Sequence, residues 1–168
     1  MTVLVAAASR HGATEEIAEA IGGTLQGLGI DVEVARLEDV ATVYPYDAFI
    51  LGSAVYRGSW LRPARHFLEE HAELLATRPT WLFSSGPIGA PPHPAAAESF
   101  DATDLVRMVQ AREHRLFRGR LLDSHELRPV ERVLVGALHV PSGDFRNWCE
   151  VTAWAVAIER TLRSVATA

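Results

Sequence analysis

Apolar residues in this chain fall into short unbroken runs, and between the runs they recur every three or four positions. Val3–Ala7 is such a run, the pattern of a strand buried on both faces. After Ser9–Thr14, the residues Ile17, Ile21, Leu25 and Leu28 line one side of a predicted helix reaching about Leu28, and Gly27 and Gly29 punctuate its end. Asp31–Leu37, with Val32 and Val34 alternating, predicts a second strand. Asp47–Ser53 is a third buried run through Phe49, Ile50 and Leu51. Ala54–Trp60 reads as a loop leading to a helix whose apolar face holds Leu61, Ala64, Phe67, Leu68, Leu74 and Leu75. Thr80–Ser84 is a fourth strand. Strand alternating with helix across short glycine-containing loops points to an α/β doubly wound parallel sheet.

Beyond residue 85 the pattern is coarser. Gly86–Pro94 is a proline-rich loop, with Pro94–Ser99 as its flexible continuation. Asp104–Ala111 predicts helix and His114–Phe117 a fifth strand. Glu131–Val140 fits strand or helix equally by its periodicity. Trp148–Leu162 closes the pattern as a helix with Val151, Ala155, Ile158 and Leu162 on one face. There is no internal repeat and no second-domain boundary, so a single domain over residues 1–168 is expected.

Composition then removes chemistries. All 16 basic residues are arginine, lysine is absent, and Cys149 is the single cysteine. A P-loop lysine, a pyridoxal phosphate Schiff base and a lysine nucleophile are excluded. So are intramolecular disulfides, Cys-ligated iron–sulfur clusters and Cys₄ zinc sites. A net charge of −5 argues against nucleic acid as a partner, which needs a basic field over the phosphates. The apolar start lacks a basic n-region, and no run approaches the roughly 20 apolar residues of a membrane span. A cytoplasmic protein without a transmembrane segment is the expectation.

Ser9–Thr14 is where chemistry first becomes legible. A buried strand ends, a glycine-containing turn follows and a helix begins, leaving N–H groups unpaired at the positive end of the helix dipole. Ser9 and Thr14 add hydroxyls, and Gly12 lets backbone approach a phosphate with no Cβ in the way. The same residues also fit a capped helix after a tight turn. In a doubly wound sheet, ligands sit outside the carboxyl ends of the strands where the strand order reverses. The loops after strands three and four, Ser53–Trp60 and Ser84–Gly89, therefore share a cleft with the first loop. Tyr56 and Trp60 offer aromatic faces there, and Gly58, Gly86 and Gly89 offer backbone, the pairing that a flat heteroaromatic ring needs. Trp60 alternatively starts the next helix by packing into the core.

Four segments carry a family resemblance: Ser9-Arg-His-Gly-Ala-Thr14, Gly52-Ser-Ala-Val-Tyr-Arg-Gly-Ser-Trp60, Ser84-Ser-Gly-Pro-Ile-Gly89 and Gly143-Asp-Phe-Arg-Asn-Trp148. Across essentially its whole length the chain resembles the flavodoxin-like family. It is most similar to the branch of flavodoxin-type, menaquinone-dependent protoporphyrinogen dehydrogenases. The resemblance implies a three-layer fold around a five-stranded parallel sheet in the order 2-1-3-4-5, with FMN as cofactor. It implies that Ser9, Arg10, His11, Gly12, Ala13 and Thr14 cradle the FMN phosphate. Ser53, Ala54, Val55, Tyr56, Arg57, Gly58 and Trp60 would enclose the ring, together with Ser85, Gly86, Pro87, Ile88 and Gly89. The backbone at Arg57-Gly58 is the candidate contact to ring atom N5, because glycine lets a peptide reorient cheaply. No catalytic acid or base is assigned.

Two departures from the family pattern stand out. His11 occupies the position before the loop glycine where flavodoxins usually place a hydroxyl. The chain is also only mildly acidic, and Arg10, Arg57, Arg62 and Arg65 lie in or after the cleft loops. That balance fits an enzyme meeting an anionic substrate, such as a porphyrin with carboxylates, and passing electrons to a quinone is the accompanying expectation; a carrier docking on basic redox proteins fits less well. An electron carrier and a flavin-free interaction module of the same fold are the alternatives. His66 and His71 are five apart and miss the four-residue spacing of a helical metal pair, so no metal site is expected. His93 could edge the cleft. Neither Gly52-Ser53 nor Ser84-Ser85-Gly86 completes the Gly-x-Ser-x-Gly elbow of a serine hydrolase. Ala6–Ala8 and the missing lysine oppose a phosphoacceptor receiver domain. Cys149 reads as a passive thiol.

Overall fold

A computed structural model describes residues 1–56, 58–86, 100–121 and 143–166. Five strands form a parallel sheet: β1 (Thr2–Ala8), β2 (Asp31–Arg36), β3 (Ala48–Tyr56), β5 (Thr80–Gly86) and β6 (Glu113–Arg118), in the order β2-β1-β3-β5-β6. A two-residue strand, β4 (Ser59–Trp60), pairs antiparallel with the end of β3. With β4 set aside, the order is the 2-1-3-4-5 that the resemblance implied. β7 (Arg120–Leu121) and β8 (Gly143–Asp144) form a separate antiparallel pair.

The helices are α1 (Ala13–Gly27), α2 (Arg62–Thr77), α3 (Thr103–Val109) and α4 (Trp148–Ala166). Because strand side chains alternate faces, the sheet feeds two cores. Val3, Val5, Ile50, Trp81 and Phe83 pack beneath α1 and α4 on one face, against Ile17, Ile21, Trp154 and Ile158. Leu4, Ala6, Phe49, Leu51 and Leu82 pack on the other, against Phe67, Leu68 and Leu75 of α2 and Val109 of α3. The result is a three-layer α/β/α sandwich. α1 ends where its sequence punctuation lies. Gly29 adopts φ 82, its N–H reaches the Gln26 carbonyl at 2.9 Å, and the Ile30 N–H reaches Leu25 at 3.0 Å, the paired bonds of a Schellman stop.

The last helix runs on to Ala166 rather than Leu162, and three strands run further than the sequence reading for one shared reason. The third strand continues past Ser53 to Tyr56, and Ala54–Trp60 is a hairpin, because Val55 pairs with Trp60 and Tyr56 with Ser59. The fourth strand continues past Ser84 to Gly86, where Ser85 pairs with Phe117 and Gly86 with Arg118. The fifth runs from Glu113 to Arg118 for the same reason. In each case backbone pairing, across a short turn for the third strand and with distant residues for the other two, extends the strand beyond its apolar run. Arg57, the proline-rich loop from Pro87 to Ser99 and the ambiguous stretch Glu131–Val140 lie outside the described residues. Among the described residues no helix is long and apolar enough to cross a membrane.

Candidate functional site

The sheet order reverses between β1 and β3, with β2 on one side of β1 and β3 on the other. α1 covers one face of the sheet and α2 the other, so a crevice opens above the carboxyl ends of these strands. The register aligns Ala8 with Ser53, Ser53 with Ser84, and Ala54 with Ser85. Ser9–Thr14, the β3–β4 hairpin and the end of β5 therefore come together, as the sequence reading required of a shared cleft.

The first loop is built to offer donors. Gly12 is the N-cap of α1 at φ 80 and supplies no side-chain cap, so the opening N–H groups of the helix are left uncapped by a side chain. The space that a Cβ would take at Gly12 is open. At the second position of the helix, Thr14 is 1% exposed, and its Oγ1 lies 2.9 Å from Ser85 Oγ. One of these hydroxyls donates to the other, which leaves the accepting partner's own proton for a further acceptor. This bond joins α1 to β5 across the cleft floor. Arg10 places its guanidinium 4.5 Å from the centre of the Tyr56 ring, joining the first loop to the hairpin. Tyr56 is half-buried, and Gly58 turns the hairpin at φ 69.

Other expected residues are placed differently. The Trp60 ring is 3% exposed and belongs to the α2-side core, and its Nε1 donates to Ser84 Oγ at 2.7 Å. Its face is spent on packing, which leaves Tyr56 as the aromatic side chain at the rim among the described residues. Ser53, Ala54 and Val55 are buried within β3. The Ser53 hydroxyl donates to the Ala54 carbonyl at 2.9 Å and accepts the Leu61 N–H at 3.0 Å. It thus ties the hairpin to the start of α2. Gly86 ends β5, and Gly119 packs beside it, its N–H 2.7 Å from the Gly86 carbonyl. A Cβ at Gly119 would lie 2.6 Å from that oxygen, so the approach needs glycine. Arg57, Pro87, Ile88, Gly89 and His93 lie outside the described residues.

Beneath the hairpin, Ser84 Oγ also lies 2.8 Å from His114 Nε2. Burial holds the His114 imidazole below its usual range, against the opposing pull of Glu113. Arg62 and Arg65 are exposed on α2, with Arg65 3.9 Å from Glu69. His66 and His71 border an open cavity of about 280 Å³ with Leu37, Val40, Pro63 and Phe67. Among the described residues no group of three or more His, Cys, Asp or Glu side chains could hold a metal ion.

Sequence reasoning missed the braces behind the first loop. Arg146 bonds to the Ala13 carbonyl, to Glu16 and to Asp144, and Arg120 stands 3.9 Å from Glu16; Asp144 and Arg120 both come from the β7–β8 pair. In sequence, Gly143–Trp148 carries a family resemblance but no role. Arginine following aspartate by two positions, in a stretch with no apolar period, was the signal available. The Asp144 carboxyl is held below the usual carboxylate range chiefly by its hydrogen bonds to Arg146, and the Arg146 guanidinium is correspondingly pushed up.

Known proteins place the chain in a family and support its fold. Residues 4–146 match the flavodoxin domain family. The protoporphyrinogen IX dehydrogenase (quinone) of Escherichia coli strain K12 is 28% identical over 86 residues, which are 50% of this chain and 48% of that protein. The chain thus spans about half the length of the curated relatives it matches. A flavodoxin from the domain Archaea superposes with a TM-score of 0.60 at 19% identity, over 97% of this chain and 99% of that one. The rubredoxin oxygen:oxidoreductase of Desulfovibrio gigas gives 0.63 at 15% identity, over 99% of this chain and 37% of that one. At such identities these structures speak for the fold alone.

Proposed function

The chain belongs to the flavodoxin domain family, whose cofactor is FMN, and on that premise we propose that it is an FMN-dependent oxidoreductase acting on an anionic organic substrate. The carrying observation is the Thr14–Ser85 bond of 2.9 Å. It sets the uncapped start of α1 beside the end of β5, at the point where strand order reverses. FMN is a phosphate monoester joined to a planar ring, and the described residues fit both parts. Backbone N–H groups of the first turn, with Ser9, His11 and the Thr14–Ser85 pair, would hold the phosphate. Tyr56 would flank the ring, and the Gly58 turn, with Gly86 at the end of β5, would meet its edge. Arg57, Pro87, Ile88 and Gly89 complete this assignment as part of the same proposal.

When bound, the flavin supplies the electron-accepting chemistry. The chain's own contribution is to fix and shield it. Ser53 and Ser84 keep the hairpin and β5 in register beneath the ring. Trp60 closes the floor against water from the α2 side. Arg10 over Tyr56, with Arg62 exposed at the start of α2, gives the rim a positive character. That suits a substrate bearing carboxylates, which steering by such a field would favour. A quinone-linked dehydrogenation of a porphyrinogen-type substrate is the specific reading, supported by the 86-residue similarity to the E. coli dehydrogenase.

The purified chain should carry a flavin absorbance spectrum, and extraction should release FMN. A colourless chain whose melting temperature does not move with added FMN would instead be an interaction module. With FMN bound, it should reduce a menaquinone analogue at the expense of an anionic tetrapyrrole donor. Exchange of electrons with redox proteins alone, and no turnover across a donor panel, would make it a carrier.

A further inference from the structure

The start of α1 poses an electrostatic problem. A phosphate monoester brings about 1.5 to 2 negative charges at neutral pH, yet the first turn already holds Glu15 and Glu16. Carboxylates there complement the helix dipole. They also stand within a turn of the N–H groups that an incoming anion would use, and like charges at that range repel.

Each carboxylate is met by arginine from another element. Arg36, at the end of β2, donates from Nε to Glu15 Oε1 at 3.2 Å. Arg146 donates from Nη1 to Glu16 Oε2 at 2.6 Å and to the Ala13 carbonyl at 3.2 Å. Arg120 stands 3.9 Å from Glu16 Oε1. Asp144 holds Arg146 from the other side, accepting from Nε at 2.8 Å and from Nη2 at 2.6 Å. The Trp148 ring lies 4.5 Å from the guanidinium, and the Arg146 side chain is only 4% exposed. Glu16 and Asp144 against Arg120 and Arg146 sum to zero charge, as do Glu15 and Arg36.

We infer that Arg146, assisted by Arg120, is a positioning residue for the cofactor phosphate, acting through Glu16 and the Ala13 peptide rather than by touching the anion. This rests on the FMN reading above. Its guanidinium is committed to Asp144, Glu16 and Ala13, so its work is indirect. It cancels the Glu16 charge, which lets the start of α1 keep a positive potential, and it pins the first peptide of the helix. A lysine-free phosphate site gains its charge compensation in this way from the layer behind the loop. The consequence is selectivity, because the brace favours a flavin that carries a phosphate and is indifferent to one that does not.

The test titrates apoprotein at low ionic strength with FMN and with riboflavin, which shares the ring and lacks the phosphate, following flavin fluorescence. Arg146→Ala should raise the FMN dissociation constant about tenfold and leave that of riboflavin unchanged. Adding Glu16→Gln to Arg146→Ala should recover most of the lost FMN affinity, the remainder being the lost hold on the Ala13 peptide. Raising the salt should shrink the Arg146→Ala effect. Equal weakening of both flavins, or no recovery in the double variant, would show that Arg146 merely supports the fold and would overturn the inference. Where Arg146→Ala fails to fold, Arg120→Ala serves, since that side chain is 38% exposed. A loss of FMN affinity reversed by Glu16→Gln supports the brace, and a loss that is not reversed overturns it. A wild-type chain that binds the two flavins equally overturns the FMN-phosphate reading itself, a result separate from any behaviour of the variants.

Discussion

The two ends of the cleft are built on different plans. At the first loop, groups from other elements converge on one helix start. Ser85 comes from β5, Arg36 from β2, Arg120 and Asp144 from the β7–β8 pair, and Arg146 from the segment that follows. At the hairpin, the polar side chains turn inward. Trp60, Ser84 and Ser53 bond to one another's neighbourhood beneath the surface, and Tyr56 with Arg10 remains at the rim. The first plan fixes a charge. The second leaves a ring to be held by backbone and one aromatic face. Affinity should therefore be governed at the phosphate end, and the electronic environment of the flavin at the ring end.

The largest expected effect lies at the first loop. Gly12→Val with Thr14→Val should weaken FMN binding by at least about 2 kcal/mol, because hydrogen bonds to charged groups contribute about 1.5–3 kcal/mol each. Valine is also strained at the φ of 80 that Gly12 adopts. An unchanged dissociation constant by calorimetry would remove the phosphate assignment. At the ring end, Tyr56→Leu should cost about 0.5–1.5 kcal/mol of binding. It should do so equally for FMN and riboflavin, and it should shift the visible spectrum. A loss confined to FMN would mean that Tyr56 serves the phosphate end after all.

Trp60→Phe addresses the floor. It keeps the apolar fill but removes the Nε1 donor to Ser84, so stability to denaturant should fall by about 1 kcal/mol with the bound-flavin spectrum unchanged. A spectral change would place Trp60 against the ring. The smallest effect is a pH dependence. His114 folds neutral, its imidazole held low by burial. As pH falls below about 6.5 the unfolded chain takes up a proton first. Stability is then at its full value above that pH, declines as pH falls toward the folded value, and is constant below it with respect to this group. His114→Gln should flatten that decline in denaturant midpoints above the carboxylate range, and an unaltered slope would assign it to another group.

How much of this was legible follows from sequence distance. The strand–helix alternation and the first loop are local patterns, and β1, α1 and the Gly29 stop follow from them directly. The hairpin depends on pairing across its turn, and the end of β5 depends on β6, so both appeared as loop. Trp60 has two readings that local pattern does not separate, because the core that buries it and its partner Ser84, 24 residues away, come from elsewhere in the chain. Arg146 meets Ala13 across 133 positions, a distance at which a single chain gives no periodicity to follow.

The claim on which the account stands is that the start of α1 binds a flavin phosphate. The most direct measurement is the ratio of riboflavin to FMN dissociation constants for the wild-type apoprotein at low salt. FMN should bind at least about 30-fold more tightly, the equivalent of one to two charge-assisted hydrogen bonds. Equal affinity for the two flavins would contradict it.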